Sequence, residues 1–365
     1  MPTPLRTPLA VDEPVRGRLG VFTTAELARR GVGESEVRTA VRTGTWVRLR
    51  PGVFVSSADL AEVERTGRRP GLDALAVLTG LARPSAVLSG RTAAWVWGLP
   101  TPRSATSVVE LTDPQRWRRG RGWLMTCAAL PDDETTVRGA YRVTTAARTL
   151  VDVARSWSEV DAVAAVDAAL LRGLTTRAEL AQVLARQSRV AGVPRSVRAV
   201  QLADGRAESW LETYGRLVFA ALGLPPFTPQ VELRAVGRLV KVVDGWYPDE
   251  AVAVEFDGRV KYQRPAFGRT PEQELWREKR DEDALRSSGV RFLRVAAEDL
   301  ADRRRAGLRD QVQRLLTAPG PPVRAFRAVP RVRGRLREQV SGDDGWLART
   351  DDRVGGSGAG VSRST

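Results

Sequence analysis

The chain has 365 residues, 42% hydrophobic and 28% charged, which suits two or three folded domains rather than a disordered polymer. Its net charge of +15 and sequence pI of about 11.1 point to a polyanionic partner, either nucleic acid or an acidic membrane surface. Histidine is absent and Cys127 is the lone cysteine. This excludes Ser-His-Asp triads, Cys-His pairs, HExxH and cysteine-built zinc sites and intrachain disulfides; with no GxxxxGK[ST] loop either, catalysis would fall to carboxylates, Lys, Arg, hydroxyls and metal-bound water.

Residues 1–15 hold four prolines and read as a flexible lead-in. The start, MPTPLRTPLAVDEP, lacks the apolar core of a signal peptide, and no apolar run approaches the ~18 residues of a spanning helix, so a cytoplasmic chain without membrane contact is expected. Residues 16–60 read as a compact basic unit. A helix is predicted over Thr24–Arg30, capped by Thr23 or Thr24 and stopped by Gly31, and a second over Glu34–Thr43, ended by Gly44. Trp46–Arg50, a Pro51-Gly52 turn and Val53–Val55 then read as a short hairpin.

In the second helix Val37, Ala40 and Val41 face one way, while Ser35, Arg38, Thr39 and Arg42 face the other. Such a polar face is what a recognition helix needs: Arg makes a bidentate contact to guanine, and Ser or Thr bonds bases or phosphates. Arg48 and Arg50 on the hairpin suit phosphate contacts from a wing. Between residues 16 and 57 there are eight Arg against three Glu. The helix-turn-helix-wing order favours DNA binding over the plainer reading of Arg38 and Arg42 as a solvated helix face.

Residues 61–204 read as a mixed, mainly helical middle region. Apolar helices are predicted around 71–82 and 86–97, with strands near Ser107–Leu111, Trp123–Cys127 and Tyr141–Thr144. From Thr145 to Leu202 apolar residues recur at helical spacing, among them Leu150, Val151, Ala154, Val163, Val166, Ala169 and Leu170. Residues 205–317 read helix, strand, strand, strand, helix, strand, helix, with strands at Gln230–Leu233, Leu239–Val243, Ala251–Phe256 and Val290–Val295. Residues 318–365 form a Pro-, Gly- and Arg-rich tail, including Arg324, Arg327, Arg331, Arg333, Arg335 and Arg337, and are expected to be disordered. The fold class is thus α/β multidomain: a winged helix-turn-helix, a mixed α+β middle region and an α/β C-terminal domain.

Asp244 ends one C-terminal strand, and Glu255 and Asp257 end the next, in VAVEFDG. Positions i and i+2 of a strand share a face, so Glu255 and Asp257 can converge, and a hairpin would bring Asp244 near them. Three such carboxylates would bind Mg²⁺ (or Mn²⁺) while leaving water ligands in place, and the ion could activate a water for attack on a phosphodiester. The alternative is structural: Asp244-Gly245 and Asp257-Gly258 are ordinary turn dipeptides. Glu255 counts against it, because it closes the apolar run AVAVEF and is costly to bury unpaired. Glu208 and Glu212, four apart on the first helix, could add a carboxylate, yet Ser209-Trp210-Leu211-Glu212 is also a capping box. Of 58 basic residues only Lys241, Lys261 and Lys279 are lysines. Lys261 follows Asp257 by four; it is either a charge-stabilising group or a plain surface lysine.

The stretch LGVFTTAELARRGVGESEVRTAVRTGTWVRLRPGVFV, with its GTWVRLRPGVF wing, resembles the AbiEi-type antitoxin family. VLSGRTAAWVWGLPTP and RVTTAARTLVDVAR are similar to the segment C-terminal to that winged helix in many actinobacterial proteins, so the resemblance spans roughly residues 16–200. It implies binding of DNA at the chain's own promoter, with a cognate toxin or self-association as further partners. The order AESWLE, TPQVEL, VVDGWYPDEAVAVEFDGRVK, EKRDEDALRSSGVRFLRV resembles the Vsr-like family of the PD-(D/E)xK nuclease superfamily over about residues 206–300. That implies a restriction-endonuclease-like domain with Asp244, Glu255 and Asp257 as metal positions, Glu212 as first-helix acid, and Gln230 and Arg294 as flanking polar positions. The chain departs from the pattern in reading Glu-x-Asp where the superfamily has Glu-x-Lys, and in placing Lys261 where many relatives have histidine. The function expected is a DNA-binding protein with a Mg²⁺-dependent endonuclease-like domain, in DNA repair or defence against foreign DNA. The alternative is a non-enzymatic antitoxin-like regulator, and a membrane-surface protein rests only on charge and the Arg-rich tail. Carboxylate geometry separates the first two.

Overall fold

The computed structural model describes residues 18–102, 108–235, 238–257 and 271–331. They divide into two compact units. The first takes residues up to 98 together with 108–149, and the second takes 99–102 and the residues from 150 onward. The boundaries expected near 60 and 204 are therefore not where the packing divides.

The first unit opens with β1 (Phe22–Thr23), α1 (Thr24–Arg29), α2 (Glu34–Arg42), β2 (Trp46–Arg50) and β3 (Val53–Ser56). A reciprocal cap starts α1: Glu26 N donates to the Thr23 hydroxyl at 3.1 Å, and Thr23 N donates to the Glu26 carboxylate at 2.7 Å. Gly31, at φ 78, turns the chain out of α1 in the left-handed region. The three strands form an antiparallel sheet in the order β1-β3-β2, with Val47 opposite Val55 and Arg48 opposite Phe54.

Next come α3 (Ser57–Arg65), α4 (Arg69–Leu81), β4 (Val87–Leu88), α5 (Gly90–Val96), β5 (Val109–Asp113), β6 (Arg118–Gly120), β7 (Trp123–Cys127), β8 (Thr135–Arg138) and β9 (Tyr141–Thr144). The six strands form one sheet, ordered β6-β7-β5-β4-β9-β8. The helix expected over 86–97 begins as a strand, because Leu88 pairs with Leu111 on one side and Val143 on the other. The strand expected at Ser107–Leu111 runs over Val109–Asp113, and residue 107 lies outside the described residues. Val21, Val53 and Val55 of the winged helix share one buried cluster with Leu72, Leu75 and Val77 of α4 and with Leu111, Met125 and Val143 of the six-stranded sheet. α4 buries side chains around most of its circumference, so it serves both sheets and fuses them into one core.

α6 (Ala146–Ala154) spans the division, and α7 (Glu159–Leu171), α8 (Arg177–Arg186), α9 (Val193–Leu202) and α10 (Trp210–Ala221) begin the second unit. The chain continues as β10 (Thr228–Ala235), β11 (Arg238–Tyr247), β12 (Val252–Asp257), α11 (Pro271–Ser287), β13 (Arg291–Ala296), α12 (Arg305–Thr317) and β14 (Phe326–Pro330). The sheet order is β13-β12-β11-β10-β14, with β12 and β13 parallel and the other neighbours antiparallel. β14 corrects the expectation that everything after residue 317 is disordered. Its Phe326–Pro330 pair with Ala235–Val231, and the Phe326 ring meets Trp246 edge-on at 5.5 Å. The lead-in 1–15 and the tail from 332 lie outside the described residues.

α10 lies against β12 with no room to spare, since a Cβ on Gly215 would sit 2.0 Å from the Phe256 ring. Asp167 of α7 ties the helices to α10 from the other side. Its carboxylate accepts from Thr213 Oγ1 (2.8 Å), Arg216 (2.9 Å), Asp204 N (2.7 Å) and Gly205 N (3.0 Å).

Candidate nucleic-acid interface and carboxylate cluster

In the first unit the sequence places a polar helix face beside a basic hairpin, and the fold keeps both at the surface. Ala40 is buried on the inner face of α2, while Ser35, Arg38 and Arg42 are exposed and Thr39 is half-buried. The turn before α2 is fixed by Gly33 N donating to Glu36 at 2.9 Å. Arg38 meets Glu34 at 3.2 Å one turn earlier, but both side chains are largely solvated. Such a pair is worth at most about 1 kcal/mol, so Arg38 can exchange Glu34 for a base or phosphate at little cost. Arg42 is in no ion pair among the described residues.

On the wing, Arg48 is exposed, its guanidinium 5.7 Å from the Phe54 ring centroid. Arg50 differs from the expectation of a phosphate contact. It is half-buried and its Nη1 donates to the Arg121 carbonyl at 3.1 Å, and burial lowers its basicity against the opposing charge of Asp73. Its job is to fix the end of the wing against the β6–β7 turn. Ser35, Arg38, Thr39, Arg42 and Arg48 thus share the winged helix's outer surface, and Arg50 is turned inward.

The second unit gathers the C-terminal carboxylates along β11, β12 and β13, each beside a cation or a backbone donor. Register pairing of β11 with β12 runs from Tyr247–Val252 to Gly245–Val254. At the next position the Asp244 carboxylate takes over the ladder's role, accepting from Phe256 N at 2.8 Å. Glu255 is 2% exposed, and Lys241 Nζ lies 2.9 Å from its Oε2. Asp257 meets Arg294 at 3.1 Å, and Arg294 also binds Glu282 of α11. Burial alone would lift the Glu282 carboxyl, but the hydrogen bond and charge of Arg294, with Arg286 and Lys241, hold it below the usual carboxylate range. Burial likewise works against the Arg294 guanidinium, which Glu282, Asp257 and Glu255 nonetheless hold above its ordinary value.

The flanking positions are also occupied. Gln230 is fully buried between Pro229, opposite Gly245, and Val231, opposite Val243, so it sits beside Asp244 on the next strand. Its Nε2 donates to Glu212 at 2.9 Å. Glu212 also accepts from Glu208 N (2.9 Å) and the Ser209 hydroxyl (2.9 Å), a variant of the expected capping box in which the backbone donor is Glu208 rather than Ser209. Glu208 reaches Arg331, at 3.5 Å, just past β14.

The arrangement therefore brings Asp244, Glu255, Asp257, Arg294, Gln230 and Glu212 to neighbouring strands and the adjoining helix start. It does not bring Asp244, Glu255 and Asp257 together as an ion-binding set. Among the described residues no three carboxylate, cysteine or histidine side chains are grouped so as to hold a metal ion. The donor set present, carboxylates matched by Lys241 and Arg294, does not fit the expected Mg²⁺ (or Mn²⁺) site. Lys261 lies outside the described residues. Sequence reasoning missed Lys241 as the partner of Glu255, and it missed the run Arg116-Trp117-Arg118-Arg119-Gly120-Arg121, whose charge was legible in the sequence. Among the described residues no helix is long and apolar enough to cross a membrane.

Among known proteins, residues 11–57 match the family described as "Transcriptional regulator, AbiEi antitoxin", and residues 85–204 match the "AbiEi antitoxin C-terminal domain". Two curated relatives, the uncharacterized proteins MT2308 and Rv2248 from two strains of Mycobacterium tuberculosis, are each 31% identical over 260 residues, covering 71% of this chain and 89% of the relative. A solved structure, the RV2827C protein from Mycobacterium tuberculosis, aligns over 54% of this chain and 78% of its own at 17% identity, with a TM-score of 0.37.

Proposed function

We propose that this chain, which belongs to the AbiEi antitoxin family of transcriptional regulators, is a cytoplasmic DNA-binding regulator that reads duplex DNA with α2 and grips its backbone with the wing. One observation carries the reading: the solvent-facing row of Ser35, Arg38 and Arg42 on α2, with exposed Arg48 on the wing, within the stretch matched to the regulator family. Arg at such positions supplies base readout in the major groove, and the overall +15 charge supplies the sequence-independent attraction. A cognate toxin is the further partner that the antitoxin family suggests.

The rival reading is a Vsr-like metal-dependent endonuclease. In its favour stand the element order α10-β10-β11-β12-α11-β13 and the adjacency of Asp244 to the Glu255–Phe256 backbone. Against it stands the matching of the carboxylates by Lys241 and Arg294. We therefore read the C-terminal sheet as a nuclease-like scaffold in a protein that binds without cutting.

The test is selection of bound duplexes from a random pool, followed by anisotropy titration of the selected sequence. Arg38→Ala and Arg42→Ala should each weaken binding by about 1–3 kcal/mol and relax the selected sequence at one position if they contact bases. Wild-type affinity and selectivity in both variants would remove α2 as the reading helix.

A further inference from the structure

The β6–β7 hairpin of the first unit carries four arginines in six residues, Arg116-Trp117-Arg118-Arg119-Gly120-Arg121, with no acidic residue among them. All four are exposed, and among the described residues none of them is in an ion pair. Trp117 beside them is 66% exposed. β6 is the edge strand of its sheet, paired on one side only, with β7.

The hairpin is packed against its own sheet and tied to the wing. Trp123 is 8% exposed and lies over Gly120, where a Cβ would come within 2.4 Å of its ring. The Arg118 guanidinium stands 5.9 Å from the same ring's centroid. The turn Arg121-Gly122 is joined to the wing's end by the 3.1 Å bond from Arg50 to the Arg121 carbonyl. Arg50 immediately precedes the Pro51-Gly52 wing turn, so the two hairpins meet tip to tip.

We propose that the β6–β7 hairpin is a second DNA-contacting element, which continues the winged helix's interface along the phosphate backbone through Arg116, Arg118, Arg119 and Arg121. The proposal rests on the DNA-binding role of the winged helix and extends it to a part of the chain outside that domain. β6 itself covers Arg118–Gly120, and successive strand residues point to opposite faces, so the four arginines spread their charge over both sides and the tip of the hairpin. Long arginine side chains clustered on one hairpin reach phosphates of a duplex lying along it, and charge contacts of this kind position a protein without reading sequence. The competing role for arginine on an edge strand is to block edge-to-edge pairing, and it makes no demand on DNA affinity.

The experiment uses the full chain and a mixed-sequence duplex of about 30 base pairs, titrated between about 50 and 200 mM salt, a range over which phosphate contacts dominate the affinity. The variant Arg116→Ser/Arg118→Ser/Arg119→Ser should bind about 10-fold or more weakly at the low-salt end. Its log–log salt slope should be shallower by about 2–3, close to 0.9 per lost phosphate contact. If the triple variant melts differently from wild type, the single variant Arg119→Glu, at one exposed position, should still flatten the slope. Wild-type affinity and slope in a correctly folded hairpin variant, while Arg42→Ala weakens binding, would overturn the hairpin's role and leave the winged helix standing. Failure of the wild-type chain to bind the duplex at all would instead overturn the DNA-binding reading on which the hairpin's role depends.

Discussion

Asp167→Ala is expected to lower the stability of the second unit by about 3–5 kcal/mol, the scale for stripping one partner from a buried charge pair. Asp167 is 1% exposed, and its two oxygens accept from four donors on two segments, the Asp204-Gly205 turn and α10. Alanine leaves the Arg216 guanidinium, the buried Thr213 hydroxyl and the Asp204 and Gly205 N–H groups without that acceptor. Each unsatisfied buried donor costs about 1–3 kcal/mol on its own. The loss falls at the joint between α7 and α10, which couples the helices in the stretch matched to the AbiEi antitoxin C-terminal domain to the helix that packs on the five-stranded sheet. At roughly 2–4 °C per kcal/mol for a unit of this size, the melting temperature should drop by about 10 °C. Arg198→Ala is the control, because its pair with Glu159 is exposed and should change stability by no more than about 0.5 kcal/mol. Equal melting of Asp167→Ala and wild type would show that the joint is held by packing alone.

Lys241→Met should be nearly as costly, about 3 kcal/mol, because it takes the ammonium from a glutamate that is 2% exposed. Methionine keeps the contact with the Phe292 ring, over which Lys241 now lies at 5.8 Å, so the loss isolates charge from packing. Glu255→Gln should be milder, since Lys241 is 16% exposed and can turn to water. In the double variant the two effects should not add, with a coupling of about 1–3 kcal/mol from a double-mutant cycle by denaturant melts. A cycle that closes with no coupling would mean that the two charges do not stabilise each other, and that Glu255 is held for some other use.

The winged helix was legible in the sequence because its signals are local. Thr23 and Glu26 specify the start of α1, Gly31 its end, and Pro51-Gly52 the wing turn, all within a few residues of what they control. The strands expected at Gln230–Leu233, Leu239–Val243, Ala251–Phe256 and Val290–Val295 correspond to β10, β11, β12 and β13, the first two lying inside the observed strands and the last two displaced by one residue, because apolar runs mark buried strands. β14 escaped because arginines and flanking prolines hide a strand that exists only through its pairing with β10, about a hundred residues earlier in the chain. The division into units escaped for a similar reason: α4 joins two sheets into one core, and nothing in its own stretch says which partners its apolar sides will find.

Within the candidate sites, the outward face of α2 followed from helical spacing alone. The inward turn of Arg50 did not, since it depends on the Arg121 carbonyl from another sheet. The pairing of Lys241 with Glu255 needed the β11–β12 register, which periodicity cannot supply. Asp167 could have been found, because a lone charge inside AVAAVDAALL is costly to bury without partners and so announces some.

The claim that this chain binds DNA without cutting it is tested most directly by incubating the purified full chain with supercoiled and linear DNA in EDTA, Mg²⁺ or Mn²⁺, then running native and denaturing gels in parallel. Retarded but intact DNA is expected in all three conditions, with the retardation weakened in the Arg38→Ala/Arg42→Ala variant. Metal-dependent strand breaks that Glu255→Gln abolishes would contradict it and establish the C-terminal sheet as a working nuclease.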